Sequence, residues 1–483
     1  MMTLDSMDLT AFAETYLANK SDENASKVFN PATGEVIARF PIASDADVDA
    51  AVQRASEAFK TWGSTSPAER AAVLLKIADA VEQESDEFAR IESENVGLPL
   101  EDVREFVVPT IVDVLRFFAG AARISTAPSA DEYDSESTSW VRREPLGVVG
   151  LITPWNYPLL MGAWKIAPAL AAGNTMLIKP ATVTPLSTIK LVQIANRFLP
   201  EGVINLILGS GTAGTAMAKH PGIRKIAFTG ATSTGKFVAA TAAETVKKVG
   251  LELGGKAPVL VFADSPIRKT AKDLVTFGFS GAGQDCTAAC RIIVEESVYE
   301  EFVDEYCRAV SELILGDPSD PATTLGPVIS EKQLKSVLGF IERAREAGNT
   351  IKMGGKQANR PGWFIEPTVI TDVKQTDEIV QSEVFGPVVS IQSAQSDDEM
   401  LQFANDVNYG LSASVWTTNL ARTLRFTREL RFGTVWVNQH TPNVSEMPFG
   451  GYGESGYGRE LSLHGLDEYS QLKHVMVKPG LDL

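Results

Sequence analysis

Cysteine is scarce in this chain: three thiols, Cys286, Cys290 and Cys307, among 483 residues. Two of them fall within GQDCTAACR (283–291). A thiol becomes a strong nucleophile once its pKa is lowered or a base stands near. Burial as a small hydrophobe is the commoner fate of a free cysteine. Gly281, Gly283 and Gln284 tilt the balance for Cys286, because glycine lets backbone approach a ligand closely. A helix starting here would aim its N–H groups at the thiolate. Cys290 lies one helical turn on, where a disulfide to Cys286 is awkward, and reads as packing. Asp285 works against the thiolate, since a like charge raises a thiol pKa.

A nucleophile needs a base, and none of the four histidines (His220, His440, His464, His474) falls within a motif. Nor do they sit at metal-ligand spacing from a cysteine, so no metal is expected. Two glutamates remain: Glu252 in LELGGKAP (251–258) and Glu383 in EVFGPV (383–388). A glutamate is usually a solvated surface group; each of these gains interest only from the glycines beside it.

The elements that must position them alternate in kind. Residues 45–122 carry apolar residues at helical spacing, with a Ser-Pro start at SPAERAAVLLKIADAVEQ. Residues 126–143 are polar and predict a protruding hairpin. From GVVGLI (147–152) onward, short β-branched runs alternate with helical stretches of 10 to 15 residues, which argues for a parallel, doubly wound sheet. Ligands in such sheets sit at the C-terminal strand ends, here the loops 154–157, 179–185, 209–215 and 229–235. A second α/β stretch spans 259–436 and holds GQDC. The tail ends in HVMVK, a candidate edge strand.

Composition narrows the class. The chain is 44% hydrophobic, enough for two or three cores, and its net charge of −17 argues against nucleic acid or an anionic membrane as partner. Few cysteines in odd number suit a reducing compartment. The N-terminal stretch lacks signal or transit character, and no run of about 20 apolar residues occurs. A soluble, cytoplasmic protein is expected.

Read together, PWNYPLLMGAWK (154–165), Lys179-Pro180, FTGATSTG (228–235), LELGGKAP, GQDCTAACR, EVFGPVV and MPFGGYGESGYGRE (447–460) resemble, in order and spacing, the aldehyde dehydrogenase superfamily. The resemblance covers residues 28–478. It implies an α/β fold: a Rossmann-type domain (1–124 and 144–254), a second α/β catalytic domain (255–440) and a small β oligomerisation arm (125–143 and 461–483). That arm would pair edge strands between subunits of a homodimer or homotetramer.

The resemblance also implies roles. Cys286 matches the nucleophile, Asn156 the side-chain donor of the oxyanion hole, and Glu252 the base that activates water against a thioester. NAD is the implied cofactor. Ile152, Thr153, Pro154 and Trp155 would line its site, Lys179 and Thr182 would meet the adenosine ribose, and Gly209 and Gly214 would follow. Phe228, Thr229, Gly230 and Ala231 match the pyrophosphate region, and Leu253 and Gly254 adjoin the base. Glu383 matches the residue on the nicotinamide ribose, with Phe385 near that ring. Lys165, Gly255 and Glu460 match positions that shape the site and a proton route.

Within the superfamily, IVDVLRFFAGAAR (111–123), GQDCTAACR and VSEMPFGG (444–451) look most similar to γ-aminobutyraldehyde dehydrogenases. That implies an ω-amino aldehyde such as 4-aminobutanal, with Asp285 either pairing the ammonium or merely capping its own turn. Val107 and Val108 stand where such enzymes often place acids. With Tyr157, Met161, Trp164 and Thr287 in the wall, an aliphatic or aromatic aldehyde is the alternative. Thr182 replaces a glutamate common in NAD-preferring members, so NADP is expected to be tolerated. A CoA-acylating relative is disfavoured by Glu252, and a non-catalytic one by the intact set Asn156, Glu252, Cys286 and Glu383.

Overall fold

A computed structural model describes residues 25–124 and 130–478. A hairpin of β1 (Ser26–Phe29) and β2 (Val36–Phe40) leads into helices α1 (Asp45–Trp62), α2 (Pro67–Gln83) and α3 (Ser85–Val96). Ser44 with Asp47, and Ser66 with Glu69, form reciprocal caps that satisfy the first N–H groups of α1 and α2. One turn of π-helix, Val103–Val107, then feeds α4 (Val108–Ala121). Pro109 offers no N–H and its ring crowds the preceding turn. The Val108 N–H accordingly reaches back five residues to the Val103 carbonyl. This offset leaves Phe106 45% exposed at the rim of the main cavity.

After β3 (Asp131–Asp134) and β4 (Ser137–Pro145) the chain builds its first large sheet. The strands are β5 (Val148–Ile152), β6 (Thr175–Lys179), β7 (Ile204–Leu206), β8 (Lys225–Thr229) and β9 (Lys248–Glu252). The helices between them are α5 (Pro158–Ala171), α6 (Leu186–Asn196), α7 (Gly211–Lys219) and α8 (Thr232–Ala243). β5 to β9 are parallel. Every residue of β5, β6 and β8 is buried, as expected for a sheet covered on both faces. Register does the positioning. Ile152 pairs with both Lys179 and Phe228, and Thr229 pairs with Glu252, so the strand ends lie in one row.

The second sheet comprises β10 (Pro258–Val261), β11 (Arg291–Glu295), β12 (Thr350–Met353), β13 (Thr368–Thr371) and β14 (Val388–Ala394). The short β15 (Tyr409–Gly410) lies outside it, and β16 (Ser412–Trp416) and β17 (Thr434–Val437) complete it. Its order is β12-β13-β14-β11-β10-β16-β17, parallel except for β12. Helix α9 (Ile267–Phe279) runs between β10 and the nucleophile loop. Arg291, wholly buried at the start of β11, donates to the carbonyls of Lys256, Phe403 and Ala404, which locks the exit of that loop.

β18 (Tyr452–Gly453) pairs with β15, and β19 (Gly456–Tyr457) returns to the first sheet antiparallel to β9. β20 (Ser470–Val477), the edge strand read from HVMVK, pairs along β4 in a three-stranded sheet of order β20-β4-β3.

Three differences from the sequence reading stand out. No helix follows Cys286; the chain makes a turn and enters β11. A helix there would have had to bury Arg291, which instead finds three carbonyls at the strand start. The hairpin strand β4 runs on to Pro145, past the expected end at 143. The tail also contributes a helix, Ser462–Glu468, packed on α4 and α5, before its strand. The expected hairpin start at 125–129 lies outside the described residues.

Asn174 shows how the tail is tied to the first sheet. Its buried side chain accepts from the N–H groups of Leu146 and Gly147 and donates to the carbonyls of Ala169 and Tyr469. Asn174→Ala would strand these backbone groups in the interior. The expected loss is more than about 2 kcal/mol, read as a lower urea midpoint for the first unfolding transition.

Candidate active site

The nucleophile loop begins where α9 stops. Gly281 (φ 56°), Ala282 (φ 57°) and Gly283 (φ 65°) turn the chain through the left-handed region. Gly283 has no alternative, because a Cβ there would lie 2.2 Å from the Gly386 carbonyl oxygen. The Gln284 side chain then staples the loop, donating to Gly281 O at 3.0 Å and accepting from Ile329 N–H at 2.9 Å. Asp285 Oδ1 accepts from both the N–H and the hydroxyl of Thr287, at 2.7 and 2.8 Å. Asp285 therefore caps its own turn, and it also lines the cavity.

Asn156 sits in the turn between β5 and α5, where the row of strand ends meets this loop. Its Nδ2 donates to Gln284 O at 2.9 Å, which brings a buried amide against the residues flanking Cys286. Glu252, at the end of β9, is buried, and its Oε2 has no partner. Lys165 on α5 is fully buried, donates to Thr229 Oγ1 at 2.6 Å and forms an ion pair with Glu460. Burial and then Glu460 push the Glu252 pKa well above the carboxylate range, while Lys165 and Arg459 draw it back.

The thiol feels the same field. Burial raises the Cys286 pKa well above its ordinary value, and Asp285, Glu383 and Glu252 raise it further. Glu383 Oε1 accepts from Gly255 N–H at 2.8 Å, and burial lifts its pKa to about 7. The two glycines after Glu252 make these approaches possible. A Cβ on Gly254 would lie 2.4 Å from Glu383 Oε2, and one on Gly255 2.1 Å from the Cys286 carbonyl oxygen.

These residues open onto one cavity of about 710 Å³. It gathers the residues nominated for cofactor, nucleophile, base and substrate wall except Gly209, whose carbonyl accepts from Thr182 Oγ1 at 2.8 Å; Lys165, Gly255 and Glu460, nominated for site shape and a proton route, do not line it. One arm of the cavity runs along the strand ends past Lys179, Gly214, Gly230 and Leu253. Burial alone holds the Lys179 pKa at about 8. The N-terminus of α8 faces this arm with no side-chain cap, leaving its first N–H groups for an anion. The other arm passes Tyr157, Met161 and Trp164 to the rim at Phe106. Trp155 meets Phe385 edge-on at 5.1 Å, and Trp164 meets Phe449 at 5.2 Å.

Several wall residues escaped the motifs. Phe106, Thr110, Thr441 and Asn443 join the second arm, and Lys332 and Gln333 the first. Gln333 donates to Phe385 O at 2.7 Å and so holds the Glu383 loop, where Phe385 sits at φ 58°. Nothing local in the sequence marks them; only the fold brings them in.

The family model described as the aldehyde dehydrogenase family matches residues 16–475. The chain belongs to the aldehyde dehydrogenase family. Among solved structures it is similar to betaine aldehyde dehydrogenase from Staphylococcus aureus in complex with NAD+, at 36% identity over 97% of this chain and 95% of that one, with a TM-score of 0.94. A second structure of that enzyme with NAD+ matches at 35% identity, 98% coverage of both chains and the same TM-score of 0.94. No helix among the described residues is long and apolar enough to cross a membrane. As an aldehyde dehydrogenase, the chain carries its thiol among three acids, which has a measurable consequence.

With the Cys286 pKa raised, the thiolate is the minor form near neutrality, and iodoacetamide labelling of the cofactor-free enzyme should still be accelerating at pH 9. Asp285→Asn keeps the acceptor for Thr287 but removes one like charge. Labelling at pH 8 should then speed up by about two- to tenfold, the effect of a shift of up to one unit. An unchanged rate would mean that Asp285 exerts no charge on the thiol.

Proposed function

We propose that this aldehyde dehydrogenase oxidises a cationic aldehyde to its carboxylate with NAD, through a thioester on Cys286. The observation that carries the reading is the convergence of a thiol, an amide donor and a buried, unpartnered carboxylate oxygen on one cavity. The residues of the first arm fit a dinucleotide: α8 offers uncapped N–H groups, Thr153 Oγ1 is buried without a partner, and Lys179 stands at the strand end. When bound there, NAD supplies the hydride acceptor.

The chain's own residues do the rest. Cys286, in the fraction of molecules where it has lost its proton to solvent, adds as the thiolate to the aldehyde carbon, and the oxygen that gains charge is met by Asn156 Nδ2 and the Cys286 N–H. Glu252, once ionised, takes a proton from the water that attacks the thioester carbon. Its raised pKa makes it a stronger base but delays its ionisation, so turnover should keep rising with pH above the ordinary carboxylate range. Lys165 and Glu460 are placed to carry that proton onward.

The second arm favours a cation. Asp285 supplies a carboxylate beside the thiol, and Tyr157, Trp164 and Phe449 supply ring faces, which attract ammonium groups. An ω-amino aldehyde such as 4-aminobutanal fits this wall. The similar structures are of a betaine aldehyde dehydrogenase, and betaine aldehyde is also cationic. Thr182 puts no charge near the ribose, so NADP is accepted alongside NAD.

The test is kcat/KM for 4-aminobutanal, betaine aldehyde and hexanal, each with NAD and NADP. A cationic aldehyde should lead hexanal by tenfold or more, about 1.4 kcal/mol of transition-state preference. Thr182→Glu should raise the NAD/NADP ratio by a similar factor through charge repulsion. Preference for hexanal would defeat the cation reading and leave the oxidation standing.

A further inference from the structure

His440 takes no part in the chemistry above, yet it touches the nucleophile's turn. The ring is wholly buried, with Nε2 2.6 Å from Thr287 O and Nδ1 2.8 Å from Ser414 Oγ on β16. Trp416 Nε1 lies 3.1 Å from the same hydroxyl. The indole N–H can only donate, so Ser414 accepts from it and passes its own proton to Nδ1. That leaves Nε2–H to donate to Thr287 O, which can only accept. The tautomer is fixed by its neighbours, and burial holds the ring neutral by lowering its pKa to about 4. The ring centroid lies 4.9 Å from that of Trp436 and 6.0 Å from that of Phe277.

We propose that His440 is a positioning residue that sets the Cys286 turn and ties it to the substrate wall. This rests on Cys286 being the nucleophile. Asp285 holds the N–H and hydroxyl of Thr287, Gly255 faces the Cys286 carbonyl, and His440 holds the carbonyl of Thr287. These three anchors fix the Cys286–Thr287 peptide and the Thr287–Ala288 peptide that follows it. The chain around His440 is itself strained: Asn438 at φ 54° and Thr441 at φ 82° are non-glycine residues in the left-handed region. Strain of this kind persists only where the surroundings demand it, and it gathers at functional sites. Thr441 and Asn443, directly after His440, line the aldehyde arm of the cavity. The bland alternative is a satisfied core histidine that matters to stability alone.

His440→Phe keeps the ring and loses the donor; His440→Gln keeps a donor of similar reach. The readouts are Cys286 labelling by iodoacetamide without aldehyde, kcat and KM with the best aldehyde, and the melting temperature. His440→Phe should lower kcat about ten- to a hundredfold, as misplacement of a reacting group by a fraction of an ångström does. KM should stay within about threefold, since the wall itself is intact. Labelling should slow in parallel, and His440→Gln should recover most of both rates. Wild-type kcat and labelling in a His440→Phe enzyme that merely melts lower would overturn the proposal. Should His440→Phe fail to fold, His440→Asn, whose shorter amide falls short of the Thr287 carbonyl, takes its place. Labelling should then slow, and wild-type labelling would equally overturn it. A wild type that oxidises no aldehyde would instead sink the functional reading, because labelling needs no substrate.

Discussion

The two glycines after Glu252 are the constraint on which the site depends. Here the last parallel strand of the first sheet, β9, hands the chain to the first strand of the second, β10. The Cys286 carbonyl comes so near Gly255 that a Cβ would lie 2.1 Å from its oxygen, and Glu383 comes as near to Gly254. Glu252, Cys286 and Glu383 belong to three separate stretches of chain. They share one cavity only because this junction carries no side chains. The Gly255 N–H adds a second function by donating to Glu383. A single methyl group at either glycine would drive the two sheets apart or push out an acid.

That closeness sets the electrostatics. Glu252, Asp285 and Glu383 all raise the thiol pKa, and burial raises theirs in turn. A raised thiol pKa lowers the fraction of thiolate, the form that electrophiles and oxidants attack. Lys165 on α5 counters the field at Glu252. It is buried, paired with Glu460, and lowers the pKa of Glu252.

Much of this was legible in the sequence, for identifiable reasons. Alternating β-branched runs and helical stretches marked the first sheet, because strands covered on both faces read as short apolar blocks. The glycines beside Glu252, Cys286 and Glu383 are weak signals one at a time; the ordered set of motifs and its resemblance to the aldehyde dehydrogenases single these residues out. What escaped lacked a local signal. The turn after Cys286 reads as a helix start, because the three carbonyls that hold Arg291 at the head of a strand come from distant segments. Phe106 reached the rim through a π-turn caused by Pro109. His440 was set aside because its partners, Ser414 and Thr287, are 26 and 153 residues away. Asp285 caps its own turn, as one of its two readings had it, and also lines the cavity.

The central claim is that oxidation passes through a thioester on Cys286 that Glu252 hydrolyses. Glu252→Gln keeps the shape of the site and removes the base. Mixed with NAD and 4-aminobutanal or betaine aldehyde, it should form about one NADH per active site in a burst and then stall. Intact-mass analysis should find the acyl group on Cys286. Steady turnover at the wild-type rate, with no burst and no adduct, would contradict the account.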